Sequence, residues 1–152
     1  MIMDDRANRT LTLTRVIAAP PAKVWRCWTD PALLPRWFGP AGYSCTTKSI
    51  DLRQGGQWVF DMTGPDGTVW PNHHLYRLMR PMDRIEFMMD DGEGSGDPAE
   101  IVVMLAPEGQ GTRQDYVMTF PTEAMKKGAE SFGAVELGQT TMAKLAALAE
   151  AL

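Results

Sequence analysis

With 152 residues, 44% of them apolar and 22% charged, and with five Trp, five Phe and eleven Met, the chain has the core material of one folded domain and is no disordered sequence. A net charge of −4 leaves no basic footprint for phosphate, which argues against non-specific nucleic-acid binding. No window approaches the roughly 18 consecutive apolar residues of a membrane span. The start, Met1-Ile2-Met3-Asp4-Asp5-Arg6, lacks the basic region and apolar run of a signal peptide, so a single cytoplasmic domain over 1–152 is expected.

In chain order, Arg9 to Ala18 alternates Leu11, Leu13, Val16 and Ile17 with threonines and reads as a first strand ended by Pro20-Pro21. Ala22 to Thr29 places Val24, Trp25 and Trp28 on one side of a short helix. Asp30 is expected to cap a second short helix through Leu33, Leu34 and Trp37, closed by Gly39-Pro40. Strands are predicted over Tyr43 to Leu52 and over Gln57 to Thr63, the latter with Trp58, Phe60 and Met62 on one face. Gly64-Pro65-Asp66-Gly67 is a hairpin turn leading to a strand over Thr68 to Met79. Arg84 to Met89, Glu100 to Ala106 and Arg113 to Phe120 complete a meander of seven strands, the last two joined across Pro107 to Gly111.

From Thr122 the period changes. Met125, Phe132, Val135, Met142, Leu145, Leu148 and Leu152 mark one face of a long amphipathic helix running to the last residue. Gly128, Gly133 and Gly138 weaken its first half and mark a bend or a close approach to the sheet.

This order of elements resembles the SRPBCC superfamily, the START-like helix-grip fold, in the branch related to the activator of the ninety-kilodalton heat-shock protein ATPase. The carriers are Val16-Ile17-Ala18-Ala19-Pro20-Pro21-Ala22-Lys23-Val24-Trp25, Thr29-Asp30-Pro31 with Leu34, and Arg36-Trp37-Phe38-Gly39-Pro40. Asp51-Leu52-Arg53-Gln54-Gly55-Gly56-Gln57-Trp58, Gly64-Pro65-Asp66-Gly67 and Pro81-Met82-Asp83-Arg84-Ile85 follow in the same spacing. The resemblance implies an α+β fold: a curved antiparallel sheet of six or seven strands around a long C-terminal helix, two short helices after strand one, and a hydrophobic cavity between sheet and helix. The chain departs from the pattern at His73-His74, at Leu78, and at Gly138-Gln139 where relatives have Gly-Trp, which implies a cavity of altered size and polarity.

The expected ligand-binding set is Trp28, Trp37, Trp58, Phe60, His74, Tyr76, Phe87, Met89, Met118, Phe120, Phe132 and Met142. Methionine is unbranched and polarisable, so a wall rich in it adapts to irregular apolar molecules. His73 and His74 are the only histidines, and neighbours on a strand face opposite ways, so one points inward and they cannot jointly chelate a metal. Cys27 and Cys45 read as buried small residues rather than a redox pair. The acidic loop from Asp90 to Pro98 has Asp91, Glu93, Ser95 and Gly96 at early calcium-loop positions, but Val102 where a bidentate Glu belongs, so it is rejected as a calcium loop. Gly92-x-Gly94-x-Gly96 leads to a strand and is no dinucleotide fingerprint. Asp61 and Asp115 are explained by exposed strand faces. No metal or cofactor is expected.

Three readings follow. The first is binding of a small hydrophobic or amphipathic molecule, with Tyr76 and His74 as polar anchors. The second is a chaperone-activating interaction module. The third is a cyclase or hydratase in which His74 or Tyr76 moves a proton. A monomer and a homodimer are both compatible with the sequence.

Overall fold

The computed structural model describes residues 5–94 and 96–152. Met1 to Asp4, at the start expected to lack a signal peptide, and Ser95 of the rejected calcium loop lie outside the described residues. A single 3-10 turn (Arg6–Arg9) enters β1 (Thr10–Ile17), whose alternation is the one read from the sequence. Pro20-Pro21 stops β1 and starts α1 (Pro21–Thr29), because proline lacks the N–H that a helix's first turn leaves unused. Asp30 does not cap α2 (Leu34–Trp37). Its Oδ1 instead accepts from Ala32 N (2.8 Å), and the preceding residue, Leu33, holds the N-terminus without a side-chain cap.

Strands β2 (Ser44–Ile50), β3 (Gln57–Thr63), β4 (Val69–Arg80), β5 (Arg84–Asp90), β6 (Ala99–Glu108) and β7 (Gly111–Thr119) follow. They join β1 in one seven-stranded antiparallel sheet ordered β1-β7-β6-β5-β4-β3-β2, the curved sheet of the helix-grip fold. The Gly64 to Gly67 turn forms as predicted: Gly67 takes φ 85°, Gly67 N donates to Gly64 O (3.0 Å), and Asp66 Oδ1 accepts from Thr68 N (2.9 Å). The last hairpin is tighter than expected, since Glu108 pairs directly with Gly111 and Pro107 stays in the strand.

The long C-terminal helix is two helices, α3 (Glu123–Ser131) and α4 (Ala134–Ala151). Gly133 adopts φ 82°, a left-handed conformation that ends α3 and resets the chain for α4. Gly138 has a different task inside α4. A Cβ there would sit 2.5 Å from Leu13 Cδ1, so this glycine lets α4 lie directly on β1.

Helices α1, α2 and α4 cover one face of the sheet, and their apolar stripes close on Ile17, Trp58, Phe60, Tyr76, Ile85, Phe87, Ile101 and Val103, all at most 1% exposed. The other face carries charges in ladders: Arg77 with Glu86 and Glu100, Arg113 with Asp115, and Lys48 with Asp61. Thr14 Oγ1 also donates to Asp115 Oδ1 (2.5 Å), so Asp61 and Asp115 belong to this outer face. Among the described residues, no helix is long and apolar enough to cross a membrane.

Candidate functional site

The period of two puts Trp58 and Phe60 of β3, His74 and Tyr76 of β4, and Phe87 and Met89 of β5 on the covered face, with His74 paired to Trp58 on one side and Met89 on the other. His74 is 1% exposed and stacks on Phe87 at 4.5 Å, with ring contacts to Phe38 (5.0 Å), Phe60 (5.1 Å) and Trp58 (5.3 Å). Its Nε2 has no hydrogen-bond partner among the described residues. Burial, reinforced by neighbouring His73, drives its pKa from 6.5 down to about 3, so the ring is neutral. His73 faces the other way, within 2.9 Å of both Asp90 Oδ1 and Gln57 Oε1.

The tryptophans of the short helices are pinned into the same core. Trp28 Nε1 donates to Gln114 Oε1 (2.8 Å), Gln114 Nε2 donates to Met142 Sδ (3.0 Å), and Trp37 Nε1 donates to Cys27 O (2.9 Å). Burial raises both thiols to about 11; Cys27 is buried, whereas Cys45 is half-buried and donates to Phe38 O (3.2 Å).

Beyond this packed region the sheet and α4 separate around a cavity of about 300 Å³. Leu11 and Leu13 of β1, Tyr116 and Met118 of β7, Met62, Asn72 and Met89 of the central strands, and the Phe38 to Pro40 loop form its sheet side. Ala134, Leu137, Gly138, Thr141 and Met142 of α4 close it. Leu137, on its helix side, is 38% exposed. The loop wall is tied to α4: Lys144 Nζ donates to Gly39 O (3.1 Å), Pro40 O (3.4 Å) and Tyr43 O (3.5 Å), and Ala41 N donates to Thr140 Oγ1 (3.0 Å). Among the described residues, no carboxylate, imidazole, thiol or amine lines this cavity. A second cavity of about 290 Å³ shares Met89 and Met118 as a common wall and is rimmed by Asp90, Asp91 and Asp97.

A glycine-relieved helix thus lies over a concave sheet, with a methionine-rich apolar space between them. The family model described as activator of Hsp90 ATPase homolog 1-like protein matches residues 18–150. The chain belongs to this family. Among solved structures, a Nitrosomonas europaea protein is 29% identical over 97% of each chain, with a TM-score of 0.83. A Mycobacterium smegmatis protein is 27% identical over 98% of this chain and 96% of its own, also at 0.83. A Chromobacterium violaceum protein is 28% identical over 91% of this chain and 96% of its own, at 0.77. No curated protein matches.

In this member of the activator-homologue-like family, the expected site residues divide four ways. Met89, Met118 and Met142 line the main cavity. Phe120 lines the second, together with Met89 and Met118. Trp28, Trp37, Trp58, Phe60, His74, Tyr76 and Phe87 are sealed in the aromatic core and form no part of either wall. Phe132 lies in neither wall: it is 86% exposed, because it occupies the break between α3 and α4 rather than the inner face of one continuous helix. Tyr116, Asn72, Met62 and Leu13 are wall residues that the sequence reading did not select. The period of two contained the signal for three of them, since Tyr116 precedes Met118 by two, Asn72 precedes His74 by two and Met62 follows Phe60 by two.

Proposed function

We propose that this protein is a one-domain cytoplasmic binder of a small hydrophobic molecule, held in the cavity between the sheet and α4. The observation that carries this reading is a space of about 300 Å³ walled by four methionines, two leucines of β1 and a phenylalanine, within the size range of small-molecule sites. Methionine side chains accommodate irregular apolar shapes with little strain. The test is native mass spectrometry of protein purified from its host, followed by organic extraction and by titration with apolar probes. Retention of a small apolar molecule, lost when Ala134→Trp fills the cavity rim, supports the reading. A protein that carries nothing and takes up no apolar probe overturns it.

A second reading, a protein-interaction module acting on a heat-shock chaperone, has two supports. They are the description of the matching family and the exposed apolar side chains Phe132 (86%) and Trp70 (55%). Stimulation of the chaperone's ATPase that disappears with Phe132→Ser and Trp70→Ser would put this reading first.

A further inference from the structure

Resting on the binding reading above, we infer that the cavity selects an uncharged, largely apolar molecule of about twelve heavy atoms bearing one hydroxyl or carbonyl oxygen, and that the Tyr116 hydroxyl is the group that recognises that oxygen. The size follows from comparison: an apolar cavity of about 150 Å³ takes one benzene, so a space of about 300 Å³ takes a molecule about twice as large.

The polarity follows from the inventory of the wall. Among its polar side chains, Thr141 uses its hydroxyl on Leu137 O (3.4 Å), and Asn72 commits one amide N–H to Trp70 O (3.0 Å), which leaves its Oδ1 and second N–H to the Asn72→Ala control below. Tyr116 uses nothing: among the described residues its hydroxyl has no hydrogen-bond partner, yet it is not one of the sealed, unpartnered atoms, which are Arg15 Nε and His74 Nε2. The hydroxyl therefore faces open space, and the space that Tyr116 lines is the cavity. The ring is held in place from behind, stacked on Trp28 at 6.3 Å and 19°, and Trp28 is itself fixed by Gln114. Burial pushes the phenol's pKa up, so the group is neutral and can both donate and accept. An unmet hydroxyl in apolar surroundings is a selective device, because a ligand oxygen that reaches it restores a hydrogen bond that a hydrocarbon leaves unmade.

The charge follows from the surroundings. Among the described residues no wall residue is basic, so a ligand carboxylate inside the cavity would lose its hydration without a partner. Past the Met89 and Met118 wall it would meet Asp90, Asp91 and Asp97. Lys144 donates to the three carbonyls behind the Gly39 and Pro40 wall, and Arg15 lies two residues past Leu13 on β1 without lining the cavity.

The experiment is isothermal titration of the full chain at neutral pH with naphthalene, 1-naphthol and 1-naphthoate. It is run on the wild type, Tyr116→Phe and Asn72→Ala. The expected order is 1-naphthol above naphthalene by about three- to tenfold, the range of one neutral hydrogen bond, with 1-naphthoate weakest. Tyr116→Phe keeps the ring that stacks on Trp28, so naphthalene affinity stays within about twofold while the naphthol advantage vanishes; Asn72→Ala preserves that advantage. Equal affinity for naphthol and naphthalene, a naphthol advantage that survives in Tyr116→Phe, or a preference for naphthoate each overturns the inference while leaving the cavity reading intact. Failure of all three probes to bind the wild type removes the binding reading and this inference with it.

Discussion

Protonation of His74 should destabilise the fold in a pH window set by its burial. In the unfolded chain the imidazole has its ordinary pKa of 6.5, while in the folded chain it is held neutral down to about 3. A base whose folded pKa is depressed binds fewer protons when native, so its full stability is present above pH 6.5 and is lost as pH falls toward 3. At pH 5 the unfolded state is almost fully protonated at this site and the native state is not, which amounts to about 2 kcal/mol lost relative to pH 7.5. The other titrating groups are common to the wild type and a His74→Met variant, so the difference between their urea-unfolding free energies isolates this residue. His74→Met also removes an unpartnered buried nitrogen from an aromatic cage, so at pH 7.5 the variant should be as stable as the wild type or more so. Between pH 7.5 and 5 the wild type should lose about 2 kcal/mol more than the variant. Parallel curves would refute the reasoning, because they would mean the folded imidazole protonates as readily as the unfolded one.

Two glycines of the helical region should respond in opposite directions to alanine. Gly128→Ala, in α3 with nothing within 4 Å of a new Cβ, should raise stability by about 0.5–1 kcal/mol, whereas Gly133→Ala, at φ 82°, should lower it by about 1 kcal/mol or more; thermal unfolding distinguishes them. Trp28→Phe should cost about 2–3 kcal/mol in chemical denaturation, since it leaves the Gln114 carbonyl without its indole donor and opens space in the core. Cys27 and Cys45, with thiols raised to about 11, should react slowly with a disulfide reagent at pH 8 in the native protein and at the ordinary rate in denaturant.

Much of this was legible in the chain because the deciding interactions are local. Alternation in Leu11 to Ile17 and Trp58 to Met62 fixes which side chains share a face, and Gly64 to Gly67 can make only a turn. The helix after Thr122 was legible in its apolar period; in the structure Thr122 is its N-cap, accepting from Met125 N (3.1 Å). What the apolar period could not show was whether the chain bends smoothly or breaks at Gly133, since a glycine in mid-helix is compatible with both. The break turns Phe132 out to solvent.

The site divides along the same line. Sequence alone determined that aromatic and methionine side chains share faces of antiparallel strands followed by a C-terminal helical region, because period and turn residues act within a few residues of one another; that the helix lies on a curved sheet was implied by the family resemblance. Only the tertiary structure decided which of those side chains fill space and which border it. Trp58, His74 and Phe87 are packed solid, while Met89, two residues beyond Phe87 on the same face, borders the void. That difference depends on where α4 crosses the sheet, which is set by the contact of Gly138 with Leu13 across more than a hundred residues of chain. A long-range packing distance of this kind leaves no trace in the periodicity of either partner.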